Sequence, residues 1–476
     1  MLNPLQKRRG FVMRSLAIAL AFLVCWVAWA LSYSPDDPLL RILVRKGILT
    51  EEEAREIAAE AEREKNAREA RKQREIVRET VAEVKKELPA LPKGLEGVKL
   101  GTLTYVDFSW GKEKGEDKSA FEITRGYLNF KKKVNSWLSF RLTPDVHRED
   151  GGDLNVRIKY AYAQLSFPNL GFFTHVKAEI GQGHFPWLDF QEHINPYRCQ
   201  GTMPRERAGT FNSADVGLGI MGYLGGTLPA TYVKELKRHY PVFDHYAGKY
   251  GSWHFGVYNG AGYHAKEHNS NKALEGRLTL RPFGGTDSIL RGLQFSYFFI
   301  RGEGNEEAGD VLGARLTDPS RADEYPEYDV DLFMVSFQHP WFVIMAEYST
   351  SSGNNSGKWV RPDGRALDTE LWSIFADVTL PFFAERLHVF FRYDWFDADK
   401  DDVWTKGEGD DQYRLYMFGL AYQLYHKNMI LLTSEWVDYE RNFVGNKWGK
   451  PGGKLPQLGA RTKDDFRVQT VFQVAF

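Results

Sequence analysis

The sequence predicts an all-β transmembrane barrel of about 16 antiparallel strands, preceded by a helical, coiled-coil-like extension. Three observations predict it. The chain opens with an export-type leader, alternates polar and apolar residues with period two from Val98 onward, and closes on an alternating strand that ends in an aromatic residue. Composition agrees. Aromatics are 14% and glycines number 44 in 476 residues, yet mean hydropathy is −0.44. Such a chain fits strands with one face in lipid and the other in water. The net charge of −1 carries no global nucleic-acid footprint, so no nucleic-acid partner is expected.

The leader comes first. Lys7, Arg8, Arg9 and Arg14 precede an apolar run from Leu16 to Ala30 that ends in "AWA". This reads as a signal peptide over residues 1–30, with Met13 as an alternative start and an uncleaved anchor as the rival reading. Val24 before Cys25 argues against a lipoprotein. After cleavage Cys199 is the one remaining cysteine, so no intrachain disulfide is expected. No other apolar run approaches the ~20 residues of a spanning helix. A mature membrane protein of this sequence must therefore be a closed barrel.

Residues 31–97 read as a helical extension and linker placed in the periplasm. Leu39, Leu40, Leu43 and Val44 have helical spacing, and Gly47 stops that helix. Thr50 and Glu53 form a capping box for a second, highly charged helix running to about Leu88, before Pro89 and Pro92. At 1.5 Å per residue it would reach roughly 55 Å, the proportions of a coiled-coil partner or spacer. A frayed linker is the plainer alternative.

Residues 98–476 read as the barrel. "VKLGTLTYVDFSW" sets Leu100, Val106, Phe108 and Trp110 against Tyr105, Asp107 and Ser109; "RGYLNF" and "WLSFRLTPD" divide the same way. Sixteen such segments start near Val98, Phe121, Trp137, Leu154, Thr174, Ala214, Ser252, Lys272, Arg291, Asp329, Trp341, Leu371, Arg386, Arg414, Met429 and Asp465. Short connections ("KKVNS", "PNLGFF", "HP", "LPFFAER", "YHKN") alternate with long ones (Gly183 to Ser213, Gly302 to Tyr328, Arg441 to Asp464), as periplasmic turns and outer loops do. Gly226 to Gly251 is long on the short side: either an insertion or a miscount by two strands.

"DVGLGIMGYLGG" contains G-x-G-x-x-G, but the alternation runs through it and "GGTLPA" follows in place of a helix. It reads as a strand, with no dinucleotide and no other cofactor expected. The last strand, "DFRVQTVFQVAF", puts Phe466, Val468, Thr470, Phe472, Val474 and Phe476 on one face and Arg467, Gln469 and Gln473 on the other. Its terminal Phe is similar to the assembly signal of bacterial outer-membrane proteins.

Alternation assigns the inward, pore-lining candidates. The bases are Arg125, Arg141, Lys159 and Lys177, then Arg277, Arg281, Arg392 and Arg467. Acids balance them, notably Asp107, Glu347 and Asp394, together with Asp145, Glu179, Asp215, Glu275 and Glu435. A mixed lining orients dipoles and sets pore size more than it selects ions.

Several stretches in order resemble the phosphate- and pyrophosphate-selective porin family: "FEITRGYLNFKKKVNSWLSFRLTPD", "AEIGQGHFPWLDFQE", "ADVGLGIMG", "GVYNGAG", "GRLTLRPF" and "VFFRYDWFD". The resemblance spans about Val98 to Phe476. It implies a trimeric sixteen-strand barrel in the bacterial outer membrane, with the third outer loop folded into the pore. That loop, Gly183 to Ser213, offers Asp189, Glu192, Arg198, Arg205 and Arg207 as constriction candidates, without the family's lysine cluster. Channel activity carries over from the resemblance; phosphate selectivity does so less.

Other constellations are weaker. "DADKDDVWTKGE" (Asp397 to Glu408) has calcium-loop carboxylates but Asp402 where a glycine belongs. His264 and His268 in "HAKEH" have zinc-like spacing without a helix, so no metal is expected. Cys199 beside Arg198 is a thin candidate for reactivity. Trp110, Trp137, Trp341 and Tyr439 are placed as interfacial girdle residues. No triad or other catalytic residue is found. The expectation is a porin, not an enzyme, passing small hydrophilic solutes or ions and contacting outer-membrane lipid. The alternative is an envelope tether, anchored by the barrel and contacting the cell wall through the helices.

Overall fold

The computed structural model describes residues 38–54, 56–61, 64, 67–69, 72, 75, 94–148, 152–243, 245–406, 411–440, 443 and 462–476. The chain divides into two units, Met1–Glu96 and Gly97–Phe476. In the first, a helix spans Pro38–Arg45. Ile48 N–H bonds to Leu43 O and Gly47 N–H to Val44 O, both at 3.0 Å, with Gly47 at φ 69°. This is the Schellman closure that only a left-handed residue permits cheaply. The Thr50–Glu53 capping box forms: Thr50 N–H donates to Glu53 Oε2 at 2.8 Å, and Glu53 N–H to Thr50 Oγ1 at 3.2 Å. Residues 51–54 and 56–61 are helical. The leader (1–30) and the stretch 76–93, which holds the expected end of the long helix and most of the linker, lie outside the described residues. No helix among the described residues is long and apolar enough to cross a membrane.

The second unit is a closed antiparallel barrel of sixteen strands. They are β1 (Val98–Glu113), β2 (Glu116–Lys133), β3 (Leu138–Arg148), β4 (Leu154–Ser166), β5 (Phe173–His184), β6 (Ala214–Leu224), β7 (Gly251–Tyr258), β8 (Ala273–Leu280), β9 (Leu293–Arg301), β10 (Asp329–His339), β11 (Phe342–Ser352), β12 (Asp368–Leu380), β13 (Leu387–Asp397), β14 (Gln412–Tyr425), β15 (Asn428–Tyr439) and β16 (Asp465–Ala475). Each pairs with its sequence neighbour, and β16 closes on β1 from Leu103↔Ala475 to Lys112↔Phe466. Closure leaves no unpaired strand edge, the requirement for a sheet in lipid. The period-two pattern explains the faces. Leu100, Val106 and Trp110 are exposed on the outside, while Tyr105, Asp107 and Ser109 are buried inside. Phe333, Ile374, Phe418, Leu432 and Phe472 continue the exposed apolar surface around the barrel.

The largest boundary difference is at β2, which begins at Glu116 rather than near Phe121. Lys114 and Gly115 both have positive φ (52° and 85°), forming a two-residue primed turn that lets β1 and β2 pair to their tips. The count of sixteen stands, so Gly226 to Gly251 is an insertion. It contains a helix at Ala230–His239. The glycine-rich "DVGLGIMGYL" is strand β6. A Cβ on Gly219 would collide with the Tyr258 hydroxyl and the His254 ring, so close packing explains that glycine.

Candidate functional site

The long connection between β5 and β6, residues 185–213, crosses the barrel interior. It holds two short helices, Leu188–Glu192 and Pro204–Ala208. Phe185, Trp187, Leu188, Phe190 and Met203 are buried in one cluster with Phe298, Met345, Leu371, Phe390 and Leu415 of the opposite wall. Polar contacts then fix its register. Arg205 donates to Ser349 Oγ and Thr369 Oγ1, both at 2.7 Å. Tyr197 donates to Asp377 at 2.6 Å, and Gln200 to Glu435 at 2.6 Å. Arg207 pairs with Glu435 at 2.5 Å.

Most of the inward candidates on this wall serve the loop, directly or through a neighbour. Arg277 donates to Pro186 O at 2.9 Å and Arg392 to Thr202 O at 2.7 Å. Asp394 braces Arg392, Glu347 accepts from Gln191, and Arg467 pairs with Glu435 at 3.0 Å. Arg281 instead donates to Gly248 O of the insertion and to Gln294 at 2.8 Å. Asp107 is buried and accepts from Gln469 and Ser109.

Arg125, Arg141, Asp145, Lys159, Lys177 and Glu179 lie across the barrel, on β2–β5, while Asp215 is on β6 and Glu275 on β8. Arg125 and Arg141 are part-exposed. Arg125 stands over the rings of Tyr105 and Tyr127 at 5.1 and 4.6 Å, and among the described residues it makes no ion pair. Arg141 stands over Tyr160 at 4.3 Å and donates to Asn129 at 2.9 Å. Lys159 is buried, bonded to Ser213 and 3.9 Å from the Tyr263 ring centre. Lys177 approaches Glu179 at 3.7 Å, while Asp145 takes Arg157 at 3.0 Å. The tyrosines of this wall were not singled out in the sequence, although their alternation with the bases was visible. Toward the short-turn end, a cavity of about 380 Å³ is lined by Lys99, Lys131, Lys132, Lys133 and Arg141, with no carboxylate in its lining.

The loop faces this wall with Asp189, Glu192, Arg198 and Glu206, which are part-exposed among buried neighbours. Arg198 bridges Glu192 and Glu206, each at 2.8 Å. Burial pulls its guanidinium down, but Glu206 and Glu192 outweigh burial and the opposing field of Arg125, so the pKa is raised. Basic wall and mixed loop thus face each other within electrostatic range.

The insertion enters from the short-turn end. Tyr240 donates to Asp377 at 2.7 Å and Tyr246 to Asp189 at 2.7 Å. Asp377 therefore receives one phenol from the loop and one from the insertion.

Tyr439 is buried and donates to Asp465 at 2.9 Å, so it packs inside and is no girdle residue. Trp110, Trp137 and Trp341 are exposed. Cys199 is buried, and burial pushes its thiol up to about 12, which removes the reactive thiolate. Asp399 accepts from the backbone of Val403 and Trp404, so its oxygens organise the turn; Glu408 lies outside the described residues. His264 contacts Arg157 at 2.9 Å, and the His268 backbone N–H donates to Asn305 at 2.8 Å.

No protein-family model and no curated protein matches the chain. Solved structures do. An anion-selective porin from Comamonas acidovorans superposes with a TM-score of 0.50 at 11% identity, over 80% of this chain and 99% of that one. The shared feature is the fold. The outer membrane channel DcaP of Acinetobacter baumannii gives 0.48 at 13% identity, over 80% and 97%. Salmonella typhi OmpF, in complex with daunomycin, gives 0.49 at 10% identity, over 79% and 97%. The resemblance to phosphate-selective porins is carried by the sequence motifs alone.

Proposed function

We propose that this chain is an outer-membrane porin: a water-filled channel for passive diffusion of small hydrophilic solutes or ions, with anions favoured. The observation that carries the reading is the basic, tyrosine-backed wall of β2–β4, set opposite the wall that anchors loop 185–213. A guanidinium seated on aromatic rings without a carboxylate partner leaves its field available to a passing anion. The acids and bases of the opposite wall hold the loop against it. A narrowed lumen lined in this way sorts solutes by size and charge and requires no chemical step. The motif resemblance supports phosphate among the anions and a homotrimer as the assembly. The Thr50–Glu53 box supports a helical extension, for which the periplasm is the compartment we propose.

Liposome swelling tests the reading. Vesicles holding the folded protein should swell in isotonic pentose, faster than protein-free vesicles, and progressively more slowly in larger sugars. Folded, inserted protein that leaves swelling at the protein-free rate contradicts it and favours the tether.

A further inference from the structure

Loop 185–213 and the insertion meet at three side chains with metal-binding chemistry. Asp189 lies on helix Leu188–Glu192, and His193 caps that helix. The D-x-x-x-H spacing puts both on one side of a helical turn. His245 comes from the insertion. One ligand-type atom from each of the three lies within 4.8 Å of the other two. The two imidazole centres are 4.5 Å apart. We propose that Asp189, His193 and His245 form a transition-metal site of the zinc class, with two imidazoles, one carboxylate and a fourth position open to water.

The surrounding contacts prepare the donors. His193 Nδ1 bonds to the backbone carbonyl of Asp189, which can only accept, so Nδ1 carries a proton and a metal ion would be met by Nε2. An outer partner of this kind is the usual orienting device for a ligating histidine. Tyr246 donates to one oxygen of Asp189 and leaves the other for a cation. His184 is nearby, but its ring contacts Glu179 at 2.7 Å and Arg141 at 3.1 Å, so it is directed elsewhere. Two nitrogens and one oxygen match three-ligand zinc sites that keep a water position. Zinc bonds of about 2.0–2.1 Å need donors closer together than they stand here. The adjustment falls to His245, which is exposed and lies in a connection rather than in the wall. An ion there would tie the loop to the insertion. Sequence spacing alone does not reveal this group, because His245 is more than fifty residues from its partners.

The test is zinc titration of the untagged, folded protein against a chromophoric chelator, with folding checked by unheated gel mobility. The expected result is one zinc per chain. His245→Ala and Asp189→Asn should each weaken binding roughly tenfold or more, a ligand mattering at least as much as an outer partner. His264→Ala/His268→Ala should leave it unchanged. No stoichiometric binding, binding unaffected by His245→Ala, or loss in the His264/His268 variant overturns the assignment. His245 is exposed, so its variant carries the test even if a buried substitution prevents folding. The readout needs no conduction, so failure of the channel reading and failure of the metal site are separately visible.

Discussion

Arg207 of the lumen loop and Glu435 of β15 stand 2.5 Å apart, and both side chains are buried. The same carboxylate receives Gln200 at 2.6 Å and Arg467 at 3.0 Å. One acid thus gathers two cations and an amide from the loop and the wall. Removing one member of a buried pair typically costs about 3–5 kcal/mol, because the abandoned charge stays buried.

Glu435→Ala should therefore release the loop while leaving the strand ladder closed. Limited proteolysis should cut within residues 185–213 in the variant and spare the wild type, and the thermal midpoint should fall. Equal protease resistance in the two proteins would show that Glu435 does not latch the loop.

Arg125→Glu should reverse the charge on the open wall without touching the loop's anchors. The anion-over-cation permeability ratio should fall roughly two- to fivefold, because charges facing the lumen set preference. Arg392→Gln should instead act through loop stability, since Arg392 is buried against Asp394 and Thr202. Unchanged selectivity in Arg125→Glu would take the β2–β4 wall out of the permeation path.

Asp411, at the end of the β13–β14 connection, is buried, and burial followed by the charges of Asp397 and Asp399 pushes its carboxyl up to about 8. An unfolded Asp titrates near 3.9. The folded value is the higher one, so the stabilisation is complete below about pH 4 and is lost as pH rises through about 8. Amide exchange in residues 398–406 should accelerate between about pH 5 and pH 8 beyond the intrinsic rate. Asp411→Asn should flatten that excess; a variant with the wild-type pH profile would assign it to another group.

Phe476 closes the barrel with its backbone, accepting from Thr102 N–H at 2.9 Å, while its side chain is 86% exposed. Phe476→Ala keeps that backbone bond and removes only the exposed ring. Assembly into membranes should slow, read as a lower folded fraction on unheated gels, while the conductance of assembled barrels stays unchanged. Equal assembly would remove the terminal aromatic from the insertion signal.

The barrel was legible because its physics is local. Each strand carries its own alternation, and most of the starts read from it fall within three residues of the observed ones, such as Leu154, Ala214 and Asp465. The β1–β2 tip escaped because the Lys114–Gly115 turn lies in a charged stretch with no apolar rhythm. The inward faces were also legible. Which inward charges meet water was not: Arg125 and Arg392 have the same strand parity, and only the path of loop 185–213 separates them. Tyr439 shows the same limit at a strand end, where parity and an inward partner, Asp465, decided its place.

The central claim is an anion-favouring pore beside the lumen loop. Its most direct test is the reversal potential of the folded, untagged protein in a planar bilayer under a KCl gradient. The account predicts discrete conductance steps and a reversal potential of the sign that marks chloride as the more permeant ion. Steps with a cation-selective potential would contradict the role given to Arg125 and its neighbours, and no steps from inserted protein would contradict the pore itself.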